Sequence, residues 1–437
     1  MSQFTLPRPQ KAVWIGVFLM LMAVITIAVI WANSFNHPPA HPESSRVLVI
    51  ANRNSPVSLR VAQYYMQRRG IPTTNFLTLD LFDSSQQPVF ESIEYPIYQK
   101  QVEQPLREFL NREQLTDQIR YIVLTKGVPL RVKNVPHPFV NGETFIQHQS
   151  LDSTIAALDY KTSAIAFRDL DYKKMSGSEV FGLLTPNLYW RQTYPFEHRL
   201  TGGYLVTRLD GYHEADARAL VDRALTPRPS LSGTVLLDAF HENESSGEPQ
   251  LVDIFDPKAC TLQVVPNCAP QPRGMWEASG QDINNDLRLS QQLIKASFSN
   301  LQVMFAPPKT FARGDNLIAY ASWGSNDPVF RLEDYQSLQF LPGAIAETVV
   351  SSSGRTFFPT TTGQSLLGDL MSNSQGVTGI RGYVEEPELQ GIGSPTVLFG
   401  NYFAGVNLAN AYYRSIRFVG WRDLVLGDPL ATAVFDD

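Results

Sequence analysis

Cysteine is nearly absent from this chain: of 437 residues only Cys260 and Cys268 carry a thiol. Two thiols make a poor metal site. In an exported chain their closeness points to a local disulfide, and two unpaired small residues remain the other reading. Histidine is scarce as well, and after residue 213 only His241 is left. A basic stripe is missing: 36 Lys and Arg stand against 42 Asp and Glu, for a formal net charge of -6. Nucleic acid is thereby excluded as a partner, because phosphate binding needs clustered cations. No repeat of fixed period appears, which excludes solenoids and propellers. Lys126-Gly127-Val128-Pro129 has neither the glycine spacing nor the Ser or Thr of a phosphate loop. No cofactor or metal site is expected.

What is present begins with an apolar run from Val13 to Ala32 that contains no charge. Roughly twenty such residues cross a bilayer as a helix. Arg8 and Lys11 precede the run and Arg46 is the next basic residue after it, which places the amino terminus in the cytoplasm. Residues 1–11 then form a cytoplasmic tail, 12–32 a transmembrane helix or uncleaved signal anchor, and 33–45 a Pro-rich linker. A cleaved signal peptide is the rival reading, against which stand the length of the run and the lack of an A-x-A site. The expected location is the cytoplasmic membrane, single-pass, with the globular part outside.

From Arg46 the pattern is α/β. Val47 to Ala51 reads as a buried strand; Ser55 and Pro56 then open a helix that Gly70 closes. Strands near Phe76–Leu79 and Tyr121–Thr125 continue a parallel βαβ alternation. Residues 139–201 read as an irregular, aromatic insertion. Pro227-Arg228-Pro229-Ser230 marks the best internal boundary, dividing 46–229 from 230–437. The second unit has strands at Thr234–Asp238, Leu301–Phe305, Leu317–Ala321, Ala344–Val350, Val377–Val384 and Leu424–Leu426.

Two of these strands break into small polar residues, Ser322-Trp323-Gly324-Ser325-Asn326-Asp327 and Ser351-Ser352-Ser353-Gly354-Arg355. Ligand sites in parallel sheets form beyond the strands' carboxyl ends, so these loops, with Asp238, His241 and Glu385-Glu386, are the candidate rim. Three chemistries fit the residue types. Ser351 is a candidate nucleophile if His241 or Lys126 serves as its base. Asp327, Glu385 and Glu386 supply hard oxygen ligands without the spacing of a metal site. Tyr320, Ser322, Trp323, Asn326, Asp327, Arg355 and Glu385 offer an aromatic, polar and charged surface for binding a peptide or surface polymer. Set against each is the plain alternative of solvated loops and core aromatics.

The chain resembles an uncharacterised family of exported bacterial proteins through Ala51-Asn52-Arg53-Asn54-Ser55, the stretch from Leu124 to Arg131, Tyr320 to Asp327, Ser353 to Phe357, Gly382 to Pro387 and Gly427-Asp428-Pro429-Leu430. More remotely it is similar to the gingipain-type cysteine peptidases of the caspase-like fold. Those carry a catalytic histidine in Tyr-x-Gly-His-Gly-Ser and a nucleophile in Cys-x-x-Gly. Here Tyr320 and Gly324-Ser325 match the first motif with Trp323 in the histidine's place, and Gly354 matches the second with Ser351 in the cysteine's. The resemblance implies two caspase-like (gingipain-like) αβα subdomains without the Cys/His dyad. Cysteine peptidase activity is not expected, since an indole cannot accept the proton and a hydroxyl ionises far less readily than a thiol. The expectation is a binding protein; a hydrolase built on Ser351 and a structural envelope protein are the alternatives.

Overall fold

In a computed structural model of the protein, the structure describes residues 41–138, 144–160, 185–240, 280–306, 310–372 and 376–434. The apolar run Val13–Ala32, Cys260, Cys268 and His241 lie outside the described residues. Among the described residues no helix is long and apolar enough to cross a membrane.

The apolar runs become the strands of a ten-stranded, mainly parallel sheet. In chain order these are β1 (Val47–Asn52), β2 (Phe76–Leu79), β3 (Tyr121–Thr125), β4 (Leu205–Leu209), β5 (Gly233–Asp238), β6 (Leu301–Phe305), β7 (Leu317–Ser322), β8 (Phe340–Thr348), β9 (Gly379–Tyr383) and β10 (Asp423–Gly427). Their spatial order is β6-β5-β7-β8-β9-β10-β4-β3-β1-β2. Every residue of β1, β3, β4, β7, β9 and β10 is buried. Continuous apolar runs, without period-two alternation, are what a sheet covered on both faces requires.

One sheet passes through both halves of the chain. The C-terminal strand β10 makes the join, pairing antiparallel with β9 and parallel with β4. A buried ion pair reinforces the join: Arg69 Nε donates to Asp428 Oδ2 at 2.6 Å, and the Tyr65 hydroxyl donates to Asp428 Oδ1 at 2.9 Å.

Helix α1 (Pro56–Arg69) starts where Ser55 accepts from the Ser58 amide at 3.2 Å, with Pro56 in its first turn, and ends at Gly70, whose φ of 62° is left-handed. It packs against α2 (Glu214–Ala224) over the first-half strands, while α3 (Gly280–Ser297), α4 (Pro395–Phe403) and α5 (Leu408–Ser415) pack in series.

The segment read as irregular is partly regular. Thr144–Ser150 pairs antiparallel with Arg131–Pro138, which also pairs with Ser92–Glu94, and Leu151–Ala156 is helical. Its residues Gln147, His148 and Gln149 are polar, which hides the strand from an apolar-period reading. This small sheet reaches the end of the large sheet where the second-half strands finish: Ser150 donates its amide to the Trp421 carbonyl at 2.7 Å and its hydroxyl to the Asp423 carbonyl.

Candidate functional site

The carboxyl ends of β7 and β8 open into loops that are laced together. Asn326 Nδ2 donates to the Val349 carbonyl at 2.8 Å, and Gln364 bridges the two loops, donating to Asn326 Oδ1 at 2.8 Å and accepting from the Ser352 amide and hydroxyl at 3.0 and 2.7 Å. The Ser351–Arg355 loop lies flat on β9. The Gly354 amide donates to the Tyr383 carbonyl at 2.8 Å, and a Cβ on Gly382 would stand 2.3 Å from Ser353 Oγ. Glycine is thus required in the strand beneath as well as in the loop.

Several candidate contact residues are turned inward, which corrects their reading as a ligand surface. Tyr320 and Ser322 are fully buried. Tyr320 packs against Tyr335 and Phe340, because a side chain inside an all-apolar central strand has nowhere else to go. The Ser322 hydroxyl donates to Asp238 Oδ2 at 2.9 Å and accepts from the Gly324 amide at 2.8 Å. Trp323 is buried against Phe240, and its indole N–H donates to Asn284 Oδ1 at 2.9 Å. Asp327 is buried and caps its own turn by accepting from the Val329 amide at 2.9 Å. Burial pushes the Asp238 carboxyl up to about 7; the Ser322 hydroxyl and the Ala312 amide oppose this, and Asp327 adds to it.

Ser351 is half-buried. No hydrogen bond joins it to a histidine, lysine or carboxylate among the described residues. Lys126 directly follows β3. Its Nζ donates to the Gly211 carbonyl at 2.6 Å and pairs with Asp210 at 3.3 Å, both partners being buried. Arg355 is half-buried and spends its fork on its own loop, donating to the Ser352 carbonyl at 3.1 Å and the Thr362 carbonyl at 2.7 Å. The structure does not gather Asp327 with Glu385 and Glu386. Among the described residues no group of three His, Cys, Asp or Glu could hold a metal ion.

Two residues absent from the sequence reading stand at this end instead, both carried by the first half. His148, on the strand Thr144–Ser150, places Nδ1 2.9 Å from Glu385 Oε1, with each side chain about one-third exposed (37% and 34%). Such a pairing orients the imidazole and leaves Nε2 to face a ligand. Glu91, 3% exposed, accepts from the Phe357 amide at 2.7 Å. Burial pushes its carboxyl up to about 7, against the Phe357 amide, the Thr356 hydroxyl and Arg131. Arg131 completes the seam by donating to Ser92 Oγ at 2.8 Å and to the Arg355 carbonyl. The Asn141-Gly142 dipeptide is a sequence signal for a hairpin that would have brought His148 into view.

Beneath the rim sits a buried ionic cluster. Arg381 of β9 donates from Nε to both Glu347 oxygens at 3.2 and 3.0 Å and from Nη2 to Oε1 at 2.5 Å, and its Nη1 lies 3.5 Å from Asp423 Oδ1. Burial pushes Asp423 up to about 7, with Arg381 opposing.

No family model matches the sequence, and no curated protein matches it. Among solved structures, the chain is similar to a complex of the pro- and mature domains of Porphyromonas gingivalis RgpB, at a TM-score of 0.44 and 10% identity, over 89% of this chain and 79% of that one. It is similar also to a structure described as a protease, at a TM-score of 0.42 and 11% identity, over 90% and 79%. The similarity to gingipain-type peptidases is remote.

Proposed function

We propose that this chain is a membrane-anchored, extracytoplasmic protein of gingipain-like fold that lacks a cysteine peptidase dyad and binds a peptide or surface polymer at the rim formed by Ser351–Arg355, Glu385 and His148. One observation carries this reading. In the motif that resembles the peptidases' histidine loop, Trp323 is buried and bonded to Asn284, and so supplies neither a base nor access. A nucleophile needs a base within hydrogen-bond reach, and Ser351 has none among the described residues. The rim keeps partly exposed, pre-ordered polar groups, which suits recognition.

The test is hydrolysis of peptide and ester libraries by the purified chain beside the Ser351→Ala variant. No turnover by either, with retention of a peptide or polymer that the Arg355→Ala and Glu385→Ala variants lose, is the expected result. Turnover abolished by Ser351→Ala would overturn the proposal. A second reading, a hydrolase with His148 as base, draws support from the His148–Glu385 pair, which has the form of a base held by its orienting carboxylate. In that case His148→Ala removes activity and Lys126→Ala does not.

A further inference from the structure

We infer that the β2 edge of the sheet is a lipid-docking face, with Phe82 and Val89 entering the headgroup layer of the bilayer that holds the N-terminal helix. This rests on the anchoring reading given above. Five large apolar side chains are exposed among the described residues, and three of them, Phe82 (73%), Val89 (68%) and Ile97 (41%), lie in the stretch that follows β2. Phe82 is not a floppy tip. Its ring stacks on Phe90 at 5.0 Å, its carbonyl accepts from Asn52 Nδ2 at 3.1 Å, and the next two residues are tied down by the Ser84 amide on the Gly127 carbonyl at 3.2 Å and the Ser85 hydroxyl on Asp83 at 2.7 Å. A rigidly presented aromatic gains nothing from water and much from an interface.

At the other end of β2 lies an open groove of about 830 Å³, lined by Leu59, Met66, Ile71, Pro72 and Phe76. The chain enters the fold beside it: the Ser44 hydroxyl donates to the Arg69 carbonyl at 2.6 Å, and Asn75 Nδ2 donates to the Ser45 carbonyl at 2.9 Å. Only residues 33–40 separate Ala32, the end of the apolar run, from His41. At full extension eight residues span about 28 Å, so the tether holds this edge, and not the opposite one, near the membrane. The face attracts through apolar surface more than charge, because Arg60 and Arg68 of α1 are paired with Glu214 and Asp222.

The full chain is reconstituted in phosphatidylcholine nanodiscs, some carrying a brominated-lipid quencher, with a genetically encoded fluorophore at position 82, 89 or 304. Met304 is exposed on β6, the other edge strand, nine strand spacings or about 43 Å away. Quenching several-fold stronger at 82 and 89 than at 304, and lost at a fluorophore on position 66 when Phe82→Ser and Val89→Ser are combined, is the expected result. Equal quenching at all three positions overturns the inference while leaving the anchor intact. Failure of the chain to enter nanodiscs overturns the anchor and the docking face together. Concentration-dependent shielding of position 82 in lipid-free detergent assigns the face to a second copy, and shielding that disappears with Phe35→Ser assigns it to the chain's own linker; either overturns lipid docking.

Discussion

Replacing Arg381 with methionine tests the buried cluster that supports the rim. Arg381, Glu347 and Asp423 are 0%, 1% and 5% exposed, and Arg381 is the only cation that the two carboxyl groups share through direct contact among the described residues. Removing one partner of a buried pair leaves an uncompensated charge, at a cost of about 3–5 kcal/mol. Arg381→Met is therefore expected to lower the stability by that order, read as a shift of the urea midpoint with the slope unchanged. The loss depends on pH in a definite direction. Without the guanidinium both carboxyl groups hold their protons to higher pH, so the penalty is full at high pH and fades as pH falls through their folded values, which burial holds above the ordinary carboxylate range and at about 7 for Asp423. Combining Arg381→Met with Glu347→Leu and Asp423→Asn should recover most of the loss, because an apolar or neutral set of similar volume replaces a desolvated ionic one. A midpoint shift worth less than about 1 kcal/mol for Arg381→Met alone, or no recovery in the triple variant, would refute the account.

Glu91 gives a second pH signature. Its folded pKa, raised from 4.5 to about 7 by burial, means that its contribution to stability is present below the unfolded value and is lost as pH rises through about 7. The shift corresponds to roughly 3 kcal/mol at most, and Glu91→Gln should flatten that part of the stability profile between pH 4.5 and 7. Gly382→Ala should drive its methyl group into Ser353, costing about 1–3 kcal/mol and weakening rim binding more than stability explains. Trp323→Phe should cost about 1 kcal/mol through the lost bond to Asn284 without creating any hydrolytic activity, measured by urea unfolding and a peptide-turnover assay. His148→Ala should leave stability within about 1 kcal/mol, as for any partly exposed pair, while altering ligand retention.

The elements that were legible in advance share one property: their signal is local. The run Val47–Ala51, the Ser55-Pro56 start and the Gly70 stop of α1 were readable because buried parallel strands are apolar throughout and helix ends demand particular residues. The loops after β7 and β8 could be singled out for the same reason, as polar breaks after apolar runs. What side chains do inside those loops was not readable, since Trp323 and Arg355 are polar-capable residues whose partners, Asn284 and the Thr362 carbonyl, are set by packing.

Sequence by itself determined the α/β class, the order of the strands along the chain and the presence of an uncharged twenty-residue run at the amino terminus. Only the tertiary structure decided that β10 joins both halves into one sheet, that Lys126 is spent on the Gly211 carbonyl and Asp210, and that a strand of the first half delivers His148 to Glu385. The physical reason is sequence separation. His148 and Glu385 lie 237 positions apart and Arg381 and Asp423 lie 42 apart, so neither pair leaves a periodic trace. Strand direction, which places each carboxyl end, comes from hydrogen-bond pairing between strands and from no residue within one.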